Sequence, residues 1–171
     1  ATGDERVFDA LRRSLKSMLD LLDRKPLEAW GRYRWYEGLI AVYHVYERTG
    51  EAWLLDLARK LHDQGTDFMA IFARDDVFQP TPRRGLWTWD KHVVNIAMAL
   101  KAYGLSWRLS CDERERDFPA RMLAILDRYH GQVNGMFSGD ECLAGRSPTQ
   151  GTELCAVVEA MFAFEQLLAA Y

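Results

Sequence analysis

The chain has no apolar run approaching the roughly 18 residues that span a bilayer, so no membrane-spanning segment is expected in its 171 residues. It has no surplus of positive charge. Lys and Arg number 22 against 25 Asp and Glu, a net charge of −3, and no Lys/Arg run could track a phosphate backbone, so nucleic acid is not an expected partner. Its cysteines do not make a disulfide framework. There are three, Cys111, Cys142 and Cys155, an odd set that fits a reducing compartment, or a metal or nucleophile role. The opening ATGDERVFDALRRSLKSML puts acids before its apolar stripe and shows no cleavage pattern. It reads as the start of a helix, or as a helix entered partway along a longer protein; the location stays unknown, with a cytoplasmic one favoured by the missing cleavage pattern and the odd cysteine set.

The chain also has nothing that reads as a strand, and helical periodicity runs from end to end. Val7, Leu11, Leu15, Met18, Leu19 and Leu22 recur at helical spacing, and Pro26 closes that stretch or opens the next. Leu27 to Arg48 reads as a second helix, stopped by Thr49-Gly50 with the glycine as left-handed terminator. Glu51 to about Gly65 reads as a third, with Leu54, Leu57, Ala58 and Leu61 on its stripe. The near-absence of a linker makes these two an antiparallel hairpin. An irregular stretch from Phe68 to Thr88 follows, and a loop that long in a compact domain is usually functional. Helices over His92–Leu109, Cys111–Tyr129 (with Asp112 as N-cap) and Thr152–Tyr171 complete the pattern. The expectation is one all-α domain over residues 1–171, six helices in about three antiparallel hairpins, arranged as part of a helical toroid or solenoid.

What is abundant is chemistry in one place. Between Tyr129 and Met161 the chain gathers a His, the acidic pair Asp140-Glu141, two cysteines and five glycines, then opens an apolar helix. Glu153 and Cys155 stand two apart at that opening. Mid-helix such positions point about 200° away from each other, but at a first turn both can converge on a metal. Thr152 as N-cap and the positive helix end would favour a thiolate at Cys155. The bland alternative makes Glu153 a first-turn acid and Cys155 a small buried hydrophobe. Asp140 and Glu141, flanked by Gly139 and Gly145, either decorate a turn or project a carboxyl into a cleft as a general acid/base. His130 is either a helix-terminal histidine or part of that cleft, and His92, near Asn95, is either a cap or a substrate contact. Trp87 and Trp89 suit a sugar platform better than Trp53, which lies in a core stripe. No His stands at dyad spacing to Cys142, and His44 and His62 have no ligand-spaced partners.

Four ordered blocks carry a resemblance: RYRWYEGLIAVYHVYERTG with WLLDLARKLHDQG, WDKHVVNIAMALKAYGLSWRLS, HGQVNGMFSGDECLAG and GTELCAVVEAM. Together they resemble the catalytic domain of glycoside hydrolase family 127, the β-L-arabinofuranosidase-like proteins, from about Trp30 onward. The resemblance implies an (α/α)6 barrel, of which six helices are about half, and a retaining exo-glycosidase acting on arabinofuranosides. It implies zinc held by a Glu and three cysteines, one of them the nucleophile. The family's Glu-x-Cys pair falls on Glu153 and Cys155, and its general acid/base on Glu141. His92, His130, Trp87 and Trp89 become substrate contacts.

The remaining two zinc cysteines lie downstream of that pair in the family, and Cys111 and Cys142 precede it. The expectation is therefore a fragment of such a domain with an incomplete zinc site, silent by itself and dimeric through exposed helix flanks. Two other readings remain open. One is a non-enzymatic helical module that binds carbohydrate or protein. The other is a different helical-toroid sugar enzyme, such as an epimerase or unsaturated-uronide hydrolase, that uses His and acids without zinc.

Overall fold

The computed structural model describes residues 3–81 and 87–171, and in them the chain is all-α, as its periodicity requires. No strand occurs among the described residues, only isolated β-bridges around the glycine-rich segment, and no described helix is long and apolar enough to cross a membrane. The chain divides into two compact units, Ala1–Thr66 and Asp67–Tyr171.

In the first unit, α1 (Glu5–Leu22) starts at Asp4, whose carboxylate accepts from the backbone N–H of Arg6 at 3.0 Å, and buries Leu15, Leu19 and Leu22. The expected helix over Leu27–Arg48 is two: α2 (Ala29–Tyr33) and α3 (Glu37–Thr49). The break follows from packing. Trp35 and Tyr36 are both buried, and the Trp35 indole N–H donates to the Thr66 carbonyl at 3.1 Å. Arg34–Tyr36 form the turn between the two helices, and both rings go inward there. Gly50 ends α3 in the left-handed region (φ 65°), as its position predicted. Next comes α4 (Trp53–Gln64), so α3 and α4 form the expected hairpin. Leu39, Val42 and Val45 of α3 and Leu54, Leu57 and Leu61 of α4 are all essentially buried. At about 1.5–3 kcal/mol for each large aliphatic side chain buried, this core outweighs the surface pairs Arg12–Glu51 and Lys60–Asp23 that edge it.

In the second unit, the stretch expected to be irregular begins in order. Asp67 caps α5 (Phe68–Phe72) by accepting from the Ala70 N–H at 3.0 Å, and also accepts from the Tyr103 hydroxyl at 2.9 Å. A 3₁₀ turn follows at Asp75–Phe78. The rest of that expected loop includes residues 82–86, which lie outside the described residues. The expected helix over His92–Leu109 is again two, α6 (Val93–Ala99) and α7 (Ala102–Ser110). At the joint the backbone tightens to three-residue hydrogen bonds, Leu100 N to Ala97 O and Lys101 N to Met98 O.

Lys101 is fully buried at that joint, 3.6 Å from Glu159 and above the Phe162 ring. Asp112 caps α8 (Glu113–His130) through the Arg114 N–H at 2.9 Å, as expected. The last helix, α9 (Leu154–Ala170), starts two residues later than the sequence indicated. Its small residues Ala156, Ala160 and Ala163 are buried and let it lie close to α6 and α7.

Candidate functional site

The site is assembled by backbone pairing that no sequence period announces. The turn of Gly139–Leu143 lies antiparallel to residues 91–93. The Val93 N–H donates to the Glu141 carbonyl at 2.9 Å, and the Leu143 N–H to the Lys91 carbonyl at 2.9 Å. On its other edge the turn meets the entry to α9, where the Glu153 N–H donates to the Gly139 carbonyl at 3.0 Å. Only glycine fits at 139, because a Cβ there would stand 2.2 Å from a Val93 methyl and 2.6 Å from the Cys142 carbonyl oxygen. Along the turn, Cys142 and Leu143 go inward while Asp140 and Glu141 stay exposed.

This pairing brings His92, Glu141 and Glu153 together, each offering one ligand atom within 4.8 Å of the others. His92 is itself the N-cap of α6: its Nδ1 accepts the Asn95 backbone N–H at 3.2 Å. With Nδ1 occupied as acceptor, neutral His92 carries its proton on Nε2, and that nitrogen points at Glu141 Oε2, 3.5 Å away. The imidazole edge thus lies beside the Glu141 carboxylate. The two roles the sequence left open for His92, cap and site residue, are held by its two different nitrogens.

Glu153, and not Thr152, occupies the N-cap position of α9, in extended conformation (φ −68°, ψ 130°) and without capping the helix with its side chain. Its carboxyl is free to face the site. Burial pushes that carboxyl above its ordinary range, and the charges of Glu141 and Asp140 add to the shift, while a hydrogen bond from the Cys155 thiol opposes it. The two-residue spacing does converge at the first turn, as the geometry of a helix start permits. The expected thiolate at Cys155 is corrected: the thiol is pushed up, first by its hydrogen bond to Glu153 and then by the charge of that carboxylate. The helix terminus does not overcome an acceptor in direct contact.

The other sequence candidates fall into two groups. Trp87 and Trp89 are half-buried and meet edge to face at 4.7 Å, and Trp87 leans on the His92 ring at 5.4 Å. Arg74 pairs with both Asp76 and Asp90, tying the 3₁₀ turn at 75–78 to the Trp89–Lys91 turn. His130 does not join them. It is fully buried; its Nδ1 accepts the Gly145 N–H at 3.0 Å and its Nε2 donates to the Val77 carbonyl at 2.7 Å. Neither nitrogen is left for a substrate, so the expected contact is replaced by a staple between the end of α8 and two loops. Cys142 is buried, its thiol pushed up by desolvation and directed to the Thr88 carbonyl, which suits packing and not attack.

Zinc can be tested against these groups. Glu153 Oε2 is buried with no hydrogen-bond partner, and an orphaned carboxylate oxygen beside a thiol is the donor set such a cation takes. Cys155 hydrogen-bonds Glu153, and the groups at mutual ligand spacing among the described residues are His92, Glu141 and Glu153. Cys111, exposed beyond α7, and Cys142, turned to Thr88, do not add to them. No protein-family model matches this sequence, and neither curated proteins nor solved structures give a match.

Proposed function

We propose that this chain is a carbohydrate-binding part of a glycoside hydrolase of the family 127 type, built as about half of an (α/α)6 barrel and specific for arabinofuranoside-like sugars. The observation that carries the reading is the convergence of Glu141 and Glu153 beside His92, with the Cys155 thiol on Glu153. In this reading Glu141 is the general acid/base. It stands exposed, where a glycosidic oxygen can reach it, and His92 Nε2–H orients its carboxyl. Trp87 and Trp89 offer ring faces to a sugar. Glu153 and Cys155 would hold zinc, which when bound lowers the pKa of a coordinated thiol. With two ligands and no nucleophile thiol, the chain alone binds sugar without turning it over.

Self-association belongs to the same proposal. Outward on α9, Leu154, Val158, Met161, Phe164, Leu168 and Tyr171 are exposed. They make an apolar stripe along the helix, the kind of surface a protein interface covers. A second copy facing the first through α9 would cover it.

Metal and sugar binding test the reading together. Wild type should take up zinc in a competitive chelator titration, and Cys155→Ala should lose most of that affinity. A methyl arabinofuranoside should quench the Trp87/Trp89 fluorescence. Turnover of an unsaturated uronide that survives chelator and Cys155→Ala would replace this reading with the zinc-free sugar enzyme. Absence of any response to sugars would leave the non-enzymatic protein-binding module.

A further inference from the structure

One buried residue holds both ends of the segment that carries Trp89 and His92. Asn95 stands in the first turn of α6 and has none of its surface exposed. Asn is a poor helix former, and burying its amide costs stability unless the polar ends are paired. Val93, Val94, Ile96 and Ala97 beside it are apolar and buried, so the helix by itself asks only for an aliphatic side chain there. The contacts of Asn95 supply the reason for an amide.

Its backbone N–H donates to His92 Nδ1 at 3.2 Å, and the other edge of that ring lies 3.5 Å from the Glu141 carboxylate. Its side-chain Nδ2 reaches back to the Trp89 carbonyl at 3.5 Å, the long end of hydrogen-bonding distance. The pair has the spacing of a capping box, with His92 at the N-cap and Asn95 three residues on. Here the returning side chain goes to a carbonyl before the cap. The rings of the segment also meet through Trp87, which lies 4.7 Å from Trp89 and 5.4 Å from His92. A shift at either anchor therefore changes the spacing between the indoles and His92. Fully buried, Asn95 is itself out of a ligand's reach.

We propose that Asn95 is a positioning residue of the sugar site, fixing the spacing between the Trp87–Trp89 platform and the His92 edge beside Glu141. The proposal rests on the carbohydrate reading above. Two variants test it. Asn95→Leu nearly keeps the size, keeps the backbone N–H and removes the side-chain donor. Ile96→Val trims the next, fully buried position of the same helix and is the structural control. Methyl arabinofuranoside is titrated into each intact chain, followed by tryptophan fluorescence and by the indole and imidazole NMR signals.

In Asn95→Leu the Trp89 indole signal should move before any sugar is added. Affinity should fall about fivefold, as loss of one hydrogen bond does. Ile96→Val should lower the melting temperature and change neither. Wild-type affinity in folded Asn95→Leu, or the same loss in Ile96→Val, would overturn the positioning role and leave the carbohydrate reading standing. If Asn95→Leu does not fold, the wild-type Asn95 side-chain amide decides: it should shift as sugar binds, and a still signal overturns the role. No response of wild type to the sugar would remove both.

Discussion

Removing the His130 side chain should show how the site is held. In His130→Ala, the Gly145 N–H and the Val77 carbonyl both lose their partner in a fully buried position. A buried group left unpaired costs about 1–3 kcal/mol, so two such groups place the loss at about 2–6 kcal/mol before any cavity term. His130→Gln can keep a donor near Val77 and should lose about half as much.

The same staple carries a pH signature. Burial holds the His130 pKa below its ordinary 6.5, with the neighbouring Lys91 charge adding to the shift. The unfolded chain therefore takes up the proton first. The stabilising contribution is fully present above about 6.5 and falls as pH drops below it, by up to about 1.4 kcal/mol per pH unit, until the depressed folded value is reached. His130→Gln should remove this component and leave those of the other histidines. Urea denaturation between pH 7.5 and 5 measures both effects, and hydrogen exchange at the Gly145 amide reports the staple locally. The reasoning fails if His130→Ala costs less than about 1 kcal/mol and wild type and His130→Gln share one pH profile.

Further outcomes follow from the site and from α9. Glu153 has a carboxyl pushed up by burial and by its acidic neighbours, so its stabilising contribution is fully present below the ordinary 4.5 and lost as pH rises through the raised value. Glu153→Gln in chelator should therefore raise the melting temperature at pH 7.5 and not at pH 4. The gain should be no more than about 1 kcal/mol, because the group is only partly buried and solvent screens it; a lower melting temperature at pH 7.5 would contradict this. Cys111 ends α7 in the left-handed region at φ 54°. Cys111→Gly should stabilise the chain by about 1 kcal/mol in a thermal melt, and a drop would show that its side chain contributes packing. The proposed pairing through α9 requires that wild type sediment as a dimer and that Met161→Glu with Leu168→Glu sediment as a monomer, and a wild-type monomer at high concentration would remove it.

Much of the fold was legible because helical period, caps and stops are local. Asp4, Asp112 and Gly50 act where the sequence placed them, because capping and the left-handed terminator depend on a few adjacent backbone groups. The two helices that broke, at Arg34–Tyr36 and at Leu100–Lys101, contain glycines (Gly31 and Gly38 in one, Gly104 in the other), but none stands at either break. What divides them is where Trp35 and Lys101 are buried, which is a property of neighbours distant in sequence.

The site divides the same way. Composition and spacing singled out Tyr129–Met161 as the segment of candidate site residues and allowed Glu153 and Cys155 to converge at a helix start. Only the tertiary structure decided that His92, 49 residues before Glu141 in the sequence, lies beside that carboxyl, that His130 is spent on Val77 and Gly145, and that Thr81 and Gln150 share a cleft with Asp140. A histidine's role depends on which groups meet its two nitrogens, and those meetings are set by the pairing of residues 91–93 with 139–143, which leaves no period in the sequence.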